Sequence, residues 1–317
     1  MQPFIIATEA SEYFGRKIAE KIGGLPVSLV RSRFGDGERY YRINQEARTT
    51  LMGRDVVIVG STHTDEDFLE ICRVGETAAK GGARRVIYAI PFFGYSTMER
   101  AVNPGEIVTA KWNARTLSGI SSGDERNVFL FLDLHTAGLI HYFEGTALAF
   151  ELYAEPVLTE AIRELSLQNF IFASADLGRP RWVETFANIF GTDIAFIRKT
   201  RDFESTEVKT VIGEVAGKNI LIYDDMVRSG KSLVKAAEAY IACGAKSVSA
   251  AVSHLAFTGE VAANRILASP IQKIVGTNSH PMSQLSVVQA SGKCLVLDVA
   301  EVFADAISRI LARREEL

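Results

Sequence analysis

Short apolar runs recur along the chain, each bounded by glycine, proline or polar residues. They include Asp55-Val-Val-Ile-Val59, Val86-Ile-Tyr-Ala-Ile90, Val128-Phe-Leu-Phe-Leu132, Phe170-Ile-Phe-Ala-Ser174, Ile194-Ala-Phe-Ile197, Ile220-Leu-Ile222 and Ile274-Val-Gly-Thr277. Runs of this length with no polar alternation predict strands covered on both faces, as in a parallel sheet. Between them lie helix-like stretches such as Glu76-Thr-Ala-Ala-Lys80 and Lys235-Ala-Ala-Glu-Ala239. Glu151 to Leu165 reads as a helix, and Asp298 to Ile310 has the apolar spacing of an amphipathic one.

The pattern repeats. Gly53-Arg-Asp-Val-Val-Ile-Val-Gly-Ser61 aligns with Gly217-Lys-Asn-Ile-Leu-Ile-Tyr-Asp-Asp225, 164 positions on; Gly82-Ala-Arg-Arg-Val-Ile-Tyr-Ala-Ile90 aligns with Gly244-Ala-Lys-Ser-Val-Ser-Ala-Ala-Val252, 162 positions on. Each half thus reads strand, loop, helix, glycine stop, strand. That is a βαβ unit, and it implies a parallel sheet in each half of a tandem duplication. At 317 residues the chain is too long for one ordinary core. The expected division is an N-terminal domain over 1–150, joined by a C-terminal helix over 298–317, and a C-terminal domain over 151–297.

Composition narrows the class. A hydrophobic share of 47% and a charged share of 23% are those of a globular protein. A net charge of −3 offers no basic field for nucleic acid. No run approaches a membrane span, and no signal-like core stands at the N-terminus, so a cytoplasmic protein without a membrane partner is expected. Three cysteines, Cys72, Cys243 and Cys294, suit neither a disulfide framework nor a zinc site.

The chemistry concentrates where the second copy departs from the first. After Ile220-Leu-Ile-Tyr223 come Asp224-Asp225-Met-Val-Arg228-Ser229-Gly230-Lys231-Ser232, then an Ala-rich helix with Ser232 as its expected N-cap. A Gly and Ser turn before a helix presents backbone N–H groups to an anion. Two carboxylates at the carboxyl end of a buried strand are costly without a ligand or metal; they would suit vicinal sugar hydroxyls or a hydrated Mg2+. The combination predicts a phosphorylated ribose. A P-loop is excluded, because the glycine it needs five residues before Gly230 is Asp225.

This loop has the form of the phosphoribosyl-binding loop of type I phosphoribosyltransferases. The duplicated chain resembles the ribose-phosphate pyrophosphokinase (phosphoribosyl pyrophosphate synthetase) family from about residue 28 onward. The resemblance rests on an ordered set: Phe34-Gly-Asp36-Gly-Glu38, Pro91-Phe-Phe-Gly-Tyr95, Asp133-Leu-His135, Ser174-Ala-Asp176-Leu-Gly178, Lys199-Thr-Arg201, Ile212-Gly-Glu-Val-Ala-Gly217, Tyr223-Asp-Asp-Met226, Thr277-Asn-Ser-His-Pro281 and Ala304-Asp-Ala-Ile307. It implies an α/β fold of tandem duplicated type I phosphoribosyltransferase-like domains, each a mainly parallel sheet flanked by helices. It implies transfer of the diphosphate of ATP to ribose 5-phosphate, giving phosphoribosyl pyrophosphate and AMP, with Mg2+ as cofactor.

By the same resemblance, Asp224 and Asp225 engage the ribose hydroxyls, and Ser229, Gly230, Lys231 and Ser232 hold the 5-phosphate. His135 and Asp176 serve Mg2+ and ATP, while Lys199 and Arg201, on a polar loop, stabilise the transition state. Arg100 contacts ATP, and Phe34, Asp36 and Glu38 recognise adenine from a neighbouring subunit. That arrangement implies a homo-oligomer built on dimers, up to a hexamer. Taken singly, these residues have plainer readings: Lys199 and Arg201 as a solvated pair, His135 as a core histidine, Phe34 as core, Asp36-Gly37 as a turn. His63, His141 and His254 are read as structural or surface residues.

The chain departs from the family pattern at Thr97 and Met98, where arginine and glutamine are usual. It departs again at Arg179, in a loop that usually holds a second glycine, and at Arg228, where aspartate is usual. One lost arginine weakens a charge-assisted contact by roughly 1.5–3 kcal/mol; Arg179, Arg181 and Arg228 are the cations that would replace it. The alternative to an active synthetase is a catalytically weak homologue that binds or regulates a true one.

Overall fold

The computed structural model describes residues 2–44, 51–175, 180–201 and 206–312, without the side chains of 180, 181, 199–201 and 206–209. Two compact units emerge: Met1–Tyr153 with Val299–Leu317, and Ala154–Asp298. Among the described residues no helix is long and apolar enough to cross a membrane.

The first unit contains β1 (Phe4–Ala7), α1 (Glu12–Ile22), β2 (Leu25–Pro26), β3 (Leu29–Arg33), β4 (Arg39–Ile43), β5 (Asp55–Val59), α2 (Asp65–Lys80), β6 (Arg85–Ile90), α3 (Thr109–Ser118), β7 (Val128–Leu132) and β8 (Leu148–Leu152). Its sheet runs β2-β1-β5-β6-β7-β8, every pair parallel. Strands β5, β6 and β7 are buried along their whole length, which is why they carry unbroken Val, Ile and Phe.

The second unit contains α4 (Glu155–Glu164), β9 (Phe170–Ser174), α5 (Pro180–Phe190), β10 (Ile194–Arg201), β11 (Thr206–Ile212), β12 (Asn219–Met226), α6 (Lys231–Ala242), β13 (Ser247–His254), α7 (Glu260–Leu267), β14 (Ile271–Thr277), α8 (Ser286–Gln289) and β15 (Cys294–Leu297). The strand order is β11-β10-β9-β12-β13-β14-β15. Setting β11 aside, that order repeats the first unit strand for strand: β10 stands for β2, β9 for β1, β12 for β5, and so on outward. The repeat read from two sequence offsets is therefore a repeat of topology. The last helix, α9 (Ala300–Ala312), packs on α1 of the first unit. Phe303 meets Phe14 edge-to-face at 5.6 Å, Lys21 pairs with Glu301 at 2.7 Å, and Arg85 Nη1 donates to the Ile310 carbonyl at 3.1 Å.

The elements differ from the sequence expectation in three places. Glu151 and Leu152, expected in a helix, belong to β8 and pair with Phe131 and Leu132; the helix starts at Glu155 with proline in its first turn. A helix begun at Glu151 would have put Pro156 in its interior, where the ring clashes with the preceding turn. Strand β10 runs to Arg201, beyond the expected Ile197, because it pairs antiparallel with β11. The β3/β4 hairpin was not expected at all.

Candidate functional site

In the second unit, the sheet delivers Asp224 and Asp225 at the carboxyl end of β12. The strand is buried from Ile220 to Tyr223; Asp224 is half-buried, and Asp225 is 4% exposed. The Asp225 N–H donates to Asp224 Oδ1 at 3.0 Å. The chain then turns through Val227–Gly230 under restraint from the neighbouring strand: Val227 N–H donates to the His254 carbonyl at 3.0 Å. Gly230 adopts φ +73°, and a Cβ there would stand 3.0 Å from the Ile266 side chain. Both facts call for glycine. Arg228, Lys231 and Ser232 are exposed, and Ser229 is half-buried.

One expectation is corrected here. Ser232 is not the N-cap; Gly230 holds that position and Lys231 begins the helix. The reason is the left-handed glycine, which turns the chain sharply enough for its own carbonyl to accept Val234 N–H at 3.0 Å. Ser232 thus stands exposed in the first turn. Ser229 Oγ, meanwhile, accepts Lys231 N–H at 3.4 Å.

Around the ends of the neighbouring strands lies a polar network. Tyr223 and Ser253 hydroxyls meet at 3.1 Å, Thr277 Oγ1 donates to the Ser253 carbonyl at 2.6 Å, and His254 Nδ1 meets Ser279 Oγ at 2.7 Å. His280 Nδ1 accepts Met282 N–H at 3.1 Å. His254, 2% exposed, is a structural member of this network, in keeping with its plain reading. The sequence signal for the rest was the polar string Thr277-Asn-Ser-His280 closing an apolar strand.

Lys199 and Arg201 lie in β10, opposite Val208 and Thr206 of β11, rather than on a polar loop. Strand pairing with β11 overrides the local polarity that suggested a loop. Asp176 and Arg179 lie outside the described residues, and the side chain of Arg181 is not described.

In the first unit, Phe34, Asp36 and Glu38 form the tip of the β3/β4 hairpin. Phe34 N–H donates to the Glu38 carbonyl at 2.8 Å, and Glu38 N–H donates to Asp36 Oδ1 at 3.0 Å. Phe34 is 55% exposed, so it is not a core residue. Ion pairs fasten the hairpin to the helices behind it. Arg31 donates to Glu70 at 2.8 Å, to Glu12 at 3.0 Å and to the Ala7 carbonyl at 2.6 Å; Arg33 and Arg39 both reach Glu66.

His135 follows the end of β7, half-buried. Two residues before it, Asp133 is 4% exposed and held at φ +41°, a left-handed conformation that non-glycine residues rarely adopt. Its neighbour Leu134 donates its N–H to Glu151 Oε1 at 2.8 Å. Such strain persists where the surroundings over-determine it, and it concentrates at functional sites. Tyr95 is likewise at φ +61°, its hydroxyl donating to Asp65 at 2.7 Å; this bond holds the phenol above its ordinary pKa. Thr97 is half-buried, Met98 is exposed, and Arg100, 78% exposed, sits 3.5 Å from Glu99. The position equivalent to Asp224-Asp225 holds Gly60-Ser61 in this unit, with Ser61 buried and its N–H bonded to Ser11 Oγ at 2.9 Å. The carboxylate pair exists in one copy only.

A family model described as the N-terminal domain of ribose phosphate pyrophosphokinase matches residues 4–120, and one described as the phosphoribosyl synthetase-associated domain matches 200–316. Among curated relatives, a ribose-phosphate pyrophosphokinase of Vibrio parahaemolyticus is 32% identical, covering 96% of this chain and 95% of its own length. One of Helicobacter pylori is 30% identical, covering 96% and 92%. The fold is that of the phosphoribosylpyrophosphate synthetase from Mycobacterium smegmatis, with a TM-score of 0.84 at 23% identity over 98% of this chain and 100% of that one. A duplicated parallel-sheet unit, with the acidic strand end and glycine turn in its second copy alone, thus has full-length counterparts, and the chain belongs to the ribose-phosphate pyrophosphokinase family.

Proposed function

We propose that the chain is a ribose-phosphate diphosphokinase, transferring the diphosphate of ATP to ribose 5-phosphate to give phosphoribosyl pyrophosphate and AMP. The observation that carries this reading is the end of β12: adjacent carboxylates followed within a few residues by a left-handed glycine at a helix N-terminus. Carboxylates accept hydrogen bonds from vicinal hydroxyls, while helix N-terminal amides attract a phosphate. One substrate that carries both groups a few ångströms apart is a ribose phosphate.

In this reading Asp224 and Asp225 accept from the ribose hydroxyls. The backbone of Ser229–Ser232, with the Lys231 ammonium and the two serine hydroxyls, holds the 5-phosphate. The sugar is fixed at both ends, which orients its anomeric hydroxyl. That oxygen bonds to the β-phosphorus as the bond from β-phosphorus to the AMP oxygen breaks, and the hydroxyl proton is released to solvent. Lys199 and Arg201 stabilise the charge that builds on the transferring group. Phe34, Asp36 and Glu38 recognise adenine from the hairpin tip of a neighbouring protomer, and Arg100 contacts ATP. An exposed phenylalanine beside two carboxylates suits stacking on a base and accepting its amino hydrogens.

The metal in this reading is Mg2+, whose habit is one or two carboxylates, such as that of Asp176, together with water and substrate phosphates, with the half-buried His135 beside it. His135 and Asp176 would hold it, and bound there it would neutralise phosphoryl charge. The proposal extends to a cytoplasmic homo-oligomer built on dimers.

The decisive experiment incubates purified protein with ATP, Mg2+ and ribose 5-phosphate and follows AMP release. No AMP above background, with ribose 5-phosphate still bound, would refute the proposal. Lys199→Ala should lower kcat by far more than it weakens ribose 5-phosphate binding; equal losses would remove Lys199 from the transition state.

A further inference from the structure

The turn between β12 and α6 is held from behind by its carbonyls. Thr258 N–H donates to the Arg228 carbonyl at 3.3 Å. Next along, the Ser229 carbonyl accepts a hydrogen bond from Arg265 Nη1, 36 residues away on α7. Ile266, the following residue of α7, is the side chain against which Gly230 packs. The segment from Thr258 to Ile266 therefore acts as a template for the turn.

A peptide group is planar, with its C=O and N–H directed oppositely. The carbonyl of Ser229 and the N–H of Gly230 belong to one such plane. Arg265, by drawing that carbonyl toward α7, turns the Gly230 N–H away from it. Thr258 does the same for the Ser229 N–H through the Arg228 carbonyl. Among the described residues, neither of these two amides donates to a backbone carbonyl. Both are therefore available to an external acceptor.

We propose that Arg265 is a positioning residue for the 5-phosphate of the sugar substrate, acting through the Ser229–Gly230 peptide. The proposal rests on reading this turn as the phosphate cradle. Three effects act together. The guanidinium prevents the peptide from flipping its carbonyl toward an anion. It polarises the amide, which strengthens the Gly230 N–H as a donor. It also places a fixed positive charge behind the cradle. A plainer role for a half-buried helix arginine would be an ion pair with a nearby acid, yet here the guanidinium donates to a loop carbonyl far along the chain.

The test uses the full-length protein with Arg265→Met, Arg265→Gln and Arg265→Lys. Steady-state KM is measured for each substrate, ribose 5-phosphate binding is measured by calorimetry without ATP, and thermal melting monitors the fold. Arg265→Met and Arg265→Gln should raise both KM and Kd for ribose 5-phosphate by about tenfold, the scale of one charge-assisted hydrogen bond. KM for ATP should stay within about twofold, and Arg265→Lys should recover part of the loss. Unchanged ribose 5-phosphate binding in Arg265→Met would overturn the proposal. So would parallel rises in both KM values, or a fall in kcat and melting temperature with KM unmoved, because those mark a general structural role. Should the wild type form no AMP, the synthetase reading fails alone, and the calorimetric comparison of wild type with Arg265→Met still decides the role of Arg265. Should the wild type bind neither ribose 5-phosphate nor inorganic phosphate, the cradle reading and this inference fall together.

Discussion

Removing Arg31 should loosen the hairpin that carries Phe34, Asp36 and Glu38, and the loss should grow with pH. Glu70 is 2% exposed at its side chain and meets Arg31 Nε at 2.8 Å; Arg31 is 18% exposed. Burial pushes the Glu70 carboxyl above its ordinary pKa, while the hydrogen bond and charge of Arg31 pull it down. Arg31→Met deletes both opposing effects, so the pKa rises further. An acid whose folded pKa exceeds its unfolded one keeps its full contribution below the unfolded value and loses it as pH rises through the folded value. The variant should therefore be least impaired at acid pH. Breaking a buried pair from one side costs about 3–5 kcal/mol. Part of Arg31 remains in water, and its second partner Glu12 is 53% exposed and adds little, so about 3 kcal/mol at pH 8 is the reasonable figure. Each pKa unit gained by Glu70 accounts for roughly 1.4 kcal/mol of that pH dependence. The assay is urea unfolding at pH 5 and pH 8, in a Trp182→Phe background so that Trp112 of the first unit reports. The double variant Arg31→Met, Glu70→Leu should regain much of the loss. An impairment equal at both pH values, or no rescue in the double variant, would refute the reasoning.

Three other outcomes follow from the same structure. Gly94→Ala would place a Cβ 1.9 Å from the Thr62 carbonyl oxygen, so the Pro91–Tyr95 segment must shift; thermal melting should show a loss of at least about 2 kcal/mol, and KM for ATP should rise. The Lys80 hydrogen bond, then that from the Ser121 backbone, hold Glu76 at a pKa of about 2, so its contribution is present above the ordinary carboxylate range and disappears as pH falls toward 2. Because Glu76 is 36% exposed, Glu76→Gln should cost under about 1 kcal/mol at pH 7 and progressively less as the pH falls toward 2, read from urea melts. Thr97→Arg with Met98→Gln should lower KM for ATP by roughly tenfold, the weight of one charge-assisted contact, and an unchanged KM would show that another cation already supplies it.

Much of the fold was legible in the chain because its physics is local. Unbroken apolar runs such as Asp55–Val59 and Val128–Leu132 can be satisfied only inside a sheet covered on both faces, and two matching offsets showed that the arrangement repeats. The acidic pair and the glycine turn after Tyr223 were legible for the same reason: charge, backbone freedom and helix start lie within nine residues. The β3/β4 hairpin was not, since its strands carry arginines whose partners, Glu12, Glu66 and Glu70, lie on other elements. Lys199 and Arg201 looked like loop residues until β11 supplied a partner strand. Ser232 had the chemistry of a cap, but Gly230 took the place because Ile266 and Arg265 fix the turn from 36 residues away. The sequence by itself determined which segments must be buried and which residue types can bind a phosphorylated sugar. Tertiary structure alone decided which carbonyl, amide and ion pair aim those residues, because those partners are chosen by proximity in space rather than along the chain.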